Sequence, residues 1–379
     1  MNNRMWDKHL HIVSLNIPLP ANYGGVIDIW NKIKALAENG VKIHLHCFAY
    51  GRQPVSELED VCHSVNYYNR HTGLKSWFSA EPYIVKSRNN SELLENLIGF
   101  DAPILFEGLH TTHFINNKDL RNRIKIVRAH NVEHCYYKGL QKQEQNLPKK
   151  FFFWTEYLKL KQYEPSALEN AQLIAAISTN DTDYFQDKYP NTFLLPAFHP
   201  NRSITAKTGF GKHILYHADL SVPENIKAAI FIINALNNIN FPIIIAGRNP
   251  SKIIQQKISG KTNIKLIANP DEQTMNQLIS DAHIITLATF QPTGIKLKLI
   301  ESIYKGRHCV ANSYMIKDSQ LEKTCHLADD AIGFQRICEN LINTPFSDSE
   351  IQKRNIILAN FDTQENALKL INEIDLLLK

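Results

Sequence analysis

Apolar residues in this chain fall into short continuous runs, separated by stretches in which they recur every three or four positions. Residues 10–17 read as a buried first strand, 18–25 as a Pro- and Gly-containing turn, and 26–39 as an amphipathic helix that stops at Gly40. A second strand follows at once over 41–50. Further strands are expected at 102–107, 124–129 and 173–177, and residues 149–170 predict a long helix with one apolar-rich side. Strands that alternate with helices in this way build a parallel, doubly wound α/β sheet.

Periodicity lapses over 201–212, a polar, glycine-containing stretch that reads as an interdomain linker. The alternation then restarts. Strands are expected at 213–217, 242–246, 264–266 and 283–288, with helices at 225–236 and 272–280. Residues 349–379 are helical in pattern. The domains expected are 1–200, 201–350 and a helical segment 351–379.

Length agrees with two cores, since 379 residues exceed what one core usually serves. No apolar run reaches the roughly 18 residues that span a bilayer. The polar start, residues 1–8, carries no signal region, so the chain is expected in the cytoplasm. Six scattered cysteines form no C-x-x-C pair, and neither disulfides nor a metal site is expected. The formal charge of +5 gives nucleic-acid binding no support. It suits phosphorylated ligands or an anionic membrane face. Phe151, Phe152, Phe153 and Trp154 follow Lys149 and Lys150, which is a pattern for core packing against a sheet and, as a second reading, for peripheral membrane contact.

The chemistry concentrates in residues 289–311, which run as strand end, glycine turn, charged helix start and buried strand. Thr293 and Gly294 supply the open turn, where a helix N-terminus offers N–H groups to an anion. Lys296 and Lys298 lie near that helix start, an unfavourable place for a cation unless an anion is present. Glu301, one turn beyond Lys298, is placed to accept hydrogen bonds from two ribose hydroxyls. A nucleoside diphosphate satisfies all three groups.

This segment resembles the donor-binding signature of retaining, family 4 type glycosyltransferases of the GT-B fold. That signature has two glutamates separated by seven residues ahead of a small-residue helix and strand. Glu301 matches the second glutamate, residues 302–306 the helix and 307–311 the strand, while Thr293 stands where the first glutamate is expected. Residues 20–25 resemble the family's glycine-rich acceptor loop, with Tyr23, Gly24 and Gly25. Residues 126–137 resemble its strand-end histidine segment, with His130 beside the reacting sugar. The loop that carries an arginine and a lysine in many members has Asp219 and Asn225 here, so Lys296, Lys298 and Arg248 are expected to neutralise the diphosphate.

The resemblance implies GT-B architecture, two Rossmann-like doubly wound domains facing a central cleft, with the C-terminal helix crossing back to the first domain. It implies transfer of a sugar from a nucleoside diphosphate sugar to a hydroxyl of a glycan, lipid-linked or protein acceptor, without a cofactor or metal. His130, Lys298 and Glu301 are the catalytic candidates. Thr293, Gly294, Lys296, Lys298, Glu301 and Arg248 are the donor candidates, and Tyr23, Gly24, Gly25, His110 and Glu133 the acceptor candidates. Bland readings stand beside these: Glu133 and His134 as helix caps, Arg248 as a surface ion pair and Gly24-Gly25 as a plain turn. The rival functions are a GT-B type nucleotide-sugar epimerase and a non-catalytic nucleotide-sugar-binding subunit. A nicotinamide dehydrogenase is disfavoured because no G-x-G-x-x-G follows an expected strand.

Overall fold

The computed structural model describes residues 7–290 and 297–378. The chain divides into two compact units, Met1–Pro200 with Phe361–Lys379, and Asn201–Asn360.

The first unit holds seven strands: β1 (His9–Ser14), β2 (Lys42–Ala49), β3 (Ser64–Asn69), β4 (Ile104–Glu107), β5 (Lys125–Ala129), β6 (Leu173–Ala176) and β7 (Thr192–Leu194). They pair in the order β3-β2-β1-β4-β5-β6-β7, all parallel. The second unit holds β8 (His213–Asp219), β9 (Ile243–Arg248), β10 (Ile264–Ala268), β11 (Ala282–Leu287), β12 (His308–Ala311) and β13 (His326–Leu327), in the order β10-β9-β8-β11-β12-β13. These are also parallel. Both units are therefore Rossmann-like. In each, the strand order reverses beside the first strand, and ligands of such sheets bind beyond the carboxyl ends of the strands at that reversal.

Strands buried on both faces read as apolar runs because helices cover each side. β1 shows how polar residues are admitted: His11 and His46 share a hydrogen bond of 2.9 Å between ring nitrogens, and burial holds His11 at a pKa of about 4, uncharged at neutral pH. β3, β7 and β13 were not among the expected strands. β7 and β13 are only three and two residues long, and β3 is mostly half-buried, so none carries a clear apolar run.

Helix Gly24–Glu38 buries Val26, Ile29, Ile33 and Leu36 at helical spacing. Helix Thr363–Leu378 packs on it through Ala367, Leu370, Ile371 and Ile374, so the chain's last helix belongs to the first unit. Asn39 also donates to Gln364 over 2.7 Å. In the second unit, Gly306 joins helix Leu297–Lys305 to β12. A Cβ there would lie 2.2 Å from Ile285 Cδ1, so only glycine lets helix and sheet approach this closely.

Helix Leu147–Leu168 has two characters. Phe153, Tyr157, Leu160, Tyr163 and Ala167 pack onto the first unit's core, as expected for a sheet cover. Leu147, Phe151, Trp154 and Leu158 instead face solvent, Phe151 with 64% and Trp154 with 46% of its surface exposed. No helix among the described residues is long and apolar enough to cross a membrane.

Candidate active site

The carboxyl edge of the first sheet gathers charged groups that lie far apart in sequence. Lys32, on helix Gly24–Glu38, donates to Asp28 Oδ2 at 3.0 Å and to Glu107 Oε1 at 2.7 Å, where β4 ends. Arg128, on β5, donates to Asp28 Oδ1 at 3.0 Å and to the carbonyls of Leu195 and Pro196. Asp28 also accepts from the Phe198 N–H at 2.8 Å. All four side chains are almost fully buried. Burial alone would raise both carboxyls, but Arg128 and Lys32 outweigh it at Asp28, and Lys32 with the His130 hydrogen bond outweighs it at Glu107. Both stay ionised. Asp28, Glu107 and His130 each offer an atom within 4.8 Å of the others, a grouping whose negative charge Lys32 and Arg128 already meet.

His130 stands at the rim of this network, its Nε2 3.0 Å from Glu107 Oε2. Because Glu107 is a carboxylate, Nε2 carries the proton and donates it, which fixes the ring tautomer. Nδ1 has no partner among the described residues. Gly108, at φ +75, turns the chain beyond β4 between two histidines. A Cβ on it would lie 3.0 Å from His110 Nδ1 and 3.8 Å from His130 Cδ2.

His110 Nδ1 faces Glu133 Oε1 across 3.9 Å, and both atoms are buried without a hydrogen-bond partner. Burial, then Arg88, His130 and Arg70, push the His110 pKa well below the ordinary histidine value. Burial and nearby Glu164 raise Glu133 to about 8, so it is mainly protonated at neutral pH. His134 does not cap its helix with its ring. Its Nδ1 meets Glu164 Oε2 at 2.5 Å, and hydrogen bonds to Cys135 and then Glu164 raise it to about 9.

Tyr23, Gly24 and Gly25 form the start of helix Gly24–Glu38, and no side chain caps that end. The Arg52 guanidinium lies 5.0 Å over the Tyr23 ring and donates to the carbonyls of Ile17 and Pro20, pinning the loop ahead of the helix.

In the second unit, Lys298 lies in the first turn of helix Leu297–Lys305 and donates to Asn225 Oδ1 at 3.2 Å. Asn225 Nδ2 in turn donates to the Asp219 carbonyl at 3.0 Å, and Asp219 pairs in register with Arg248 at the ends of β8 and β9. The Arg248 side chain is exposed, with no partner among the described residues, while its carbonyl accepts from the Leu220 N–H at 2.8 Å. Glu301 Oε1 accepts from Lys305 at 2.7 Å, and its other oxygen has no partner among the described residues. Ser302 Oγ donates to the Lys298 carbonyl at 2.7 Å, so His217 Nε2, 3.1 Å from that hydroxyl, is the donor to it. Burial holds His217 at about 4, hence neutral. Thr293, Gly294 and Lys296 lie outside the described residues.

Most other residues of these edges carry no local sequence signal of their role. Glu224 Oε1 accepts from Thr289 Oγ1 at 2.9 Å and from the Phe290 N–H at 2.5 Å, and Asn312 holds the Thr289 backbone from both sides. Glu107 had a usable signal, a carboxylate closing a buried apolar run. Asp28 and Lys32 had none, because they sit among the apolar residues of a helix face.

No family model matches the chain. A protein of Klebsiella pneumoniae described as an uncharacterized 44.6 kDa protein in cps region is 24% identical over 325 residues, covering 80% of this chain and 82% of that one. Among solved structures, Anabaena HepE in complex with UDP and glucose superposes with a TM-score of 0.67 at 11% identity, covering 97% of this chain and 99% of that one. A glycosyltransferase from Rickettsia africae gives 0.65 at 14% identity, with 98% of each chain covered. At such low identity these likenesses establish the architecture, and that architecture is GT-B.

Proposed function

We propose that this chain is a family 4 type glycosyltransferase that moves a sugar from a nucleoside diphosphate sugar to an acceptor hydroxyl, with retention, in glycan or glycoconjugate biosynthesis. The observation that carries the reading is Lys298, held by Asn225 in a helix's first turn at the carboxyl edge of a Rossmann-like sheet. A cation there opposes the helix dipole and is stabilised by an anionic ligand. HepE, of the same fold, holds UDP and glucose.

In this reading Lys298 meets the charge that grows on the departing diphosphate, an interaction stronger in the transition state than in the ground state. Lys296, Thr293, Gly294 and Arg248 complete the phosphate contacts, and Glu301 takes the ribose hydroxyls. The lysines supply the positive charge, so the reaction needs no metal. His130, its tautomer set by Glu107, contacts the donor sugar, while Tyr23, Gly24, Gly25, His110 and Glu133 serve the acceptor.

The test is a panel of nucleoside diphosphates and their sugars, read by thermal shift and then by turnover. A ligand selective for the native state at about 100 times its Kd adds about 2.7 kcal/mol of stability. One base is expected to raise the melting temperature, with UDP the first choice. No shift with any diphosphate would sink the donor site. Binding without transfer would favour a non-catalytic subunit, and conversion of free nucleotide sugar without acceptor would favour an epimerase.

Location on the cytoplasmic face of an anionic membrane belongs to the same proposal. Leu147, Phe151, Trp154 and Leu158 form an exposed stripe at helical spacing, and Trp77, exposed beside it, stacks on Phe152 at 5.4 Å. Lys149, Lys150, Lys159 and Lys161 accompany the stripe, and the only acidic residue over 146–162, Glu156, is buried. Aromatics with lysines and no exposed carboxylate suit a lipid interface of negative charge. The protein is expected to co-sediment with phosphatidylglycerol-rich vesicles and not with phosphatidylcholine vesicles. Doubling Phe151→Ser with Trp154→Ser should abolish this, and equal binding by the double variant would refute the surface.

A further inference from the structure

Three arginines at the carboxyl edge of the first sheet have no carboxylate partner among the described residues. Arg52 follows β2 and donates to the carbonyls of Ile17 and Pro20 and to the Asn22 amide oxygen. Arg88 is only 4% exposed, and donates to the carbonyls of Leu15 at 2.9 Å and Ile84 at 2.5 Å. Arg70 follows β3 and donates its Nε to Ser87 Oγ at 2.8 Å. Its guanidinium lies 4.7 Å from the Tyr50 ring centre and 5.3 Å from that of Tyr83.

The neighbouring carboxyls are already spent or neutral. Glu107 and Asp28 face Lys32 and Arg128, Glu81 pairs with Lys86 and His113, and Glu133 is protonated at neutral pH. Burial followed by the proximity of Arg70 lowers Arg88 to about 9, and the same two arginines help to depress His110. The two guanidinium groups therefore share one region with the histidine named above as an acceptor contact. A buried cation without a counter-charge is costly, and a bound anion is what removes that cost.

We propose that Arg70, backed by the charge of Arg88, forms an anion subsite on the acceptor side, so that the acceptor carries a phosphate or carboxylate group near its reacting hydroxyl. This rests on the glycosyltransferase reading above. Loop anchoring accounts for Arg52 and Arg88, which grip the carbonyls of Leu15, Ile17 and Pro20. It does not account for Arg70, whose two terminal nitrogens have no hydrogen-bond partner among the described residues. A planar fork held by flanking tyrosines and a serine is pre-organised for two parallel hydrogen bonds to a phosphate or carboxylate.

The experiment titrates the full chain with inorganic pyrophosphate, glucuronate and glucose by calorimetry, in the wild type, in Arg70→Gln, Arg70→Lys and Lys298→Ala, and in Arg70→Gln combined with Lys298→Ala, with UDP titrated in parallel. An anion is expected to bind and glucose not. Arg70→Gln should weaken that binding about tenfold or more, Arg70→Lys should restore part of it, and Lys298→Ala should leave it in place. Pyrophosphate also fits the Lys298 donor site, so pyrophosphate binding that persists in Lys298→Ala and depends on Arg70 indicates a phosphate-bearing acceptor, and glucuronate binding an acidic sugar. Arg70→Gln should not change UDP affinity. Equal binding of glucose and glucuronate with no pyrophosphate binding, anion affinity that Arg70→Gln leaves unchanged in the Lys298→Ala background, or anion binding lost wholly in Lys298→Ala would each overturn the subsite. Loss of UDP binding in every form, with Arg70-dependent anion binding intact, would instead defeat the donor reading and leave the subsite standing.

Discussion

Replacing Lys298 with alanine is expected to weaken binding of the donor diphosphate about ten- to a hundredfold, because a hydrogen bond to a charged group is worth about 1.5–3 kcal/mol. Turnover should fall further, by about 100- to 1000-fold, the usual effect of removing a group aimed at charge that develops in the transition state. The fold should survive. The ammonium touches Asn225 Oδ1 and lies 5.8 Å over the Tyr216 ring, and its loss leaves Asn225 still bonded to the Asp219 carbonyl. Titration calorimetry with the diphosphate and initial rates with its sugar separate the two effects. Unchanged donor affinity in a folded Lys298→Ala protein would remove this residue from the site.

The second large effect is on stability. Lys32→Met keeps most of the side-chain volume but leaves Glu107 and Asp28 without their shared ammonium, and breaking a buried ion pair by removing one partner costs about 3–5 kcal/mol. Urea unfolding at neutral pH should show it. The pH dependence gives a stricter check. Both carboxyls are held below their ordinary values in the folded wild type, so their contribution is fully present above the unfolded carboxylate range and is lost as the pH falls through the folded values. In Lys32→Met these values rise toward or past the ordinary range and the carboxyls can take up a proton. The penalty should therefore be smaller at mildly acid pH than at neutral pH. A penalty that is small or independent of pH would mean that Lys32 does not hold the network.

Much of the fold was legible in the chain because strands such as β1, β5 and β11 are buried along their whole length, and so are written as short apolar-rich runs that only a few polar residues interrupt. The spacing of Lys298 and Glu301 was legible for a related reason. Residues three apart on a helix share a face, so a cation and a carboxylate there announce themselves without any tertiary information. His130 was legible through its place after a strand, in a segment that resembles the family's histidine segment, and the fold brings it together with His110 at Gly108. Arg70 and Arg88 lie where no regular element was expected, between β3 and β4. Nothing in their local pattern distinguishes them from surface arginines.

Local periodicity determined the alternation of strand and helix, and hence the side of each sheet on which ligand groups could gather, because backbone geometry links residues only a few positions apart. Only the tertiary structure decided which charges cancel and which remain. Lys32 meets Glu107 across 75 residues and Arg128 meets Asp28 across 100, in places from which water is excluded. Coulomb interaction depends on distance in space and on desolvation, neither of which is written in the order of the residues.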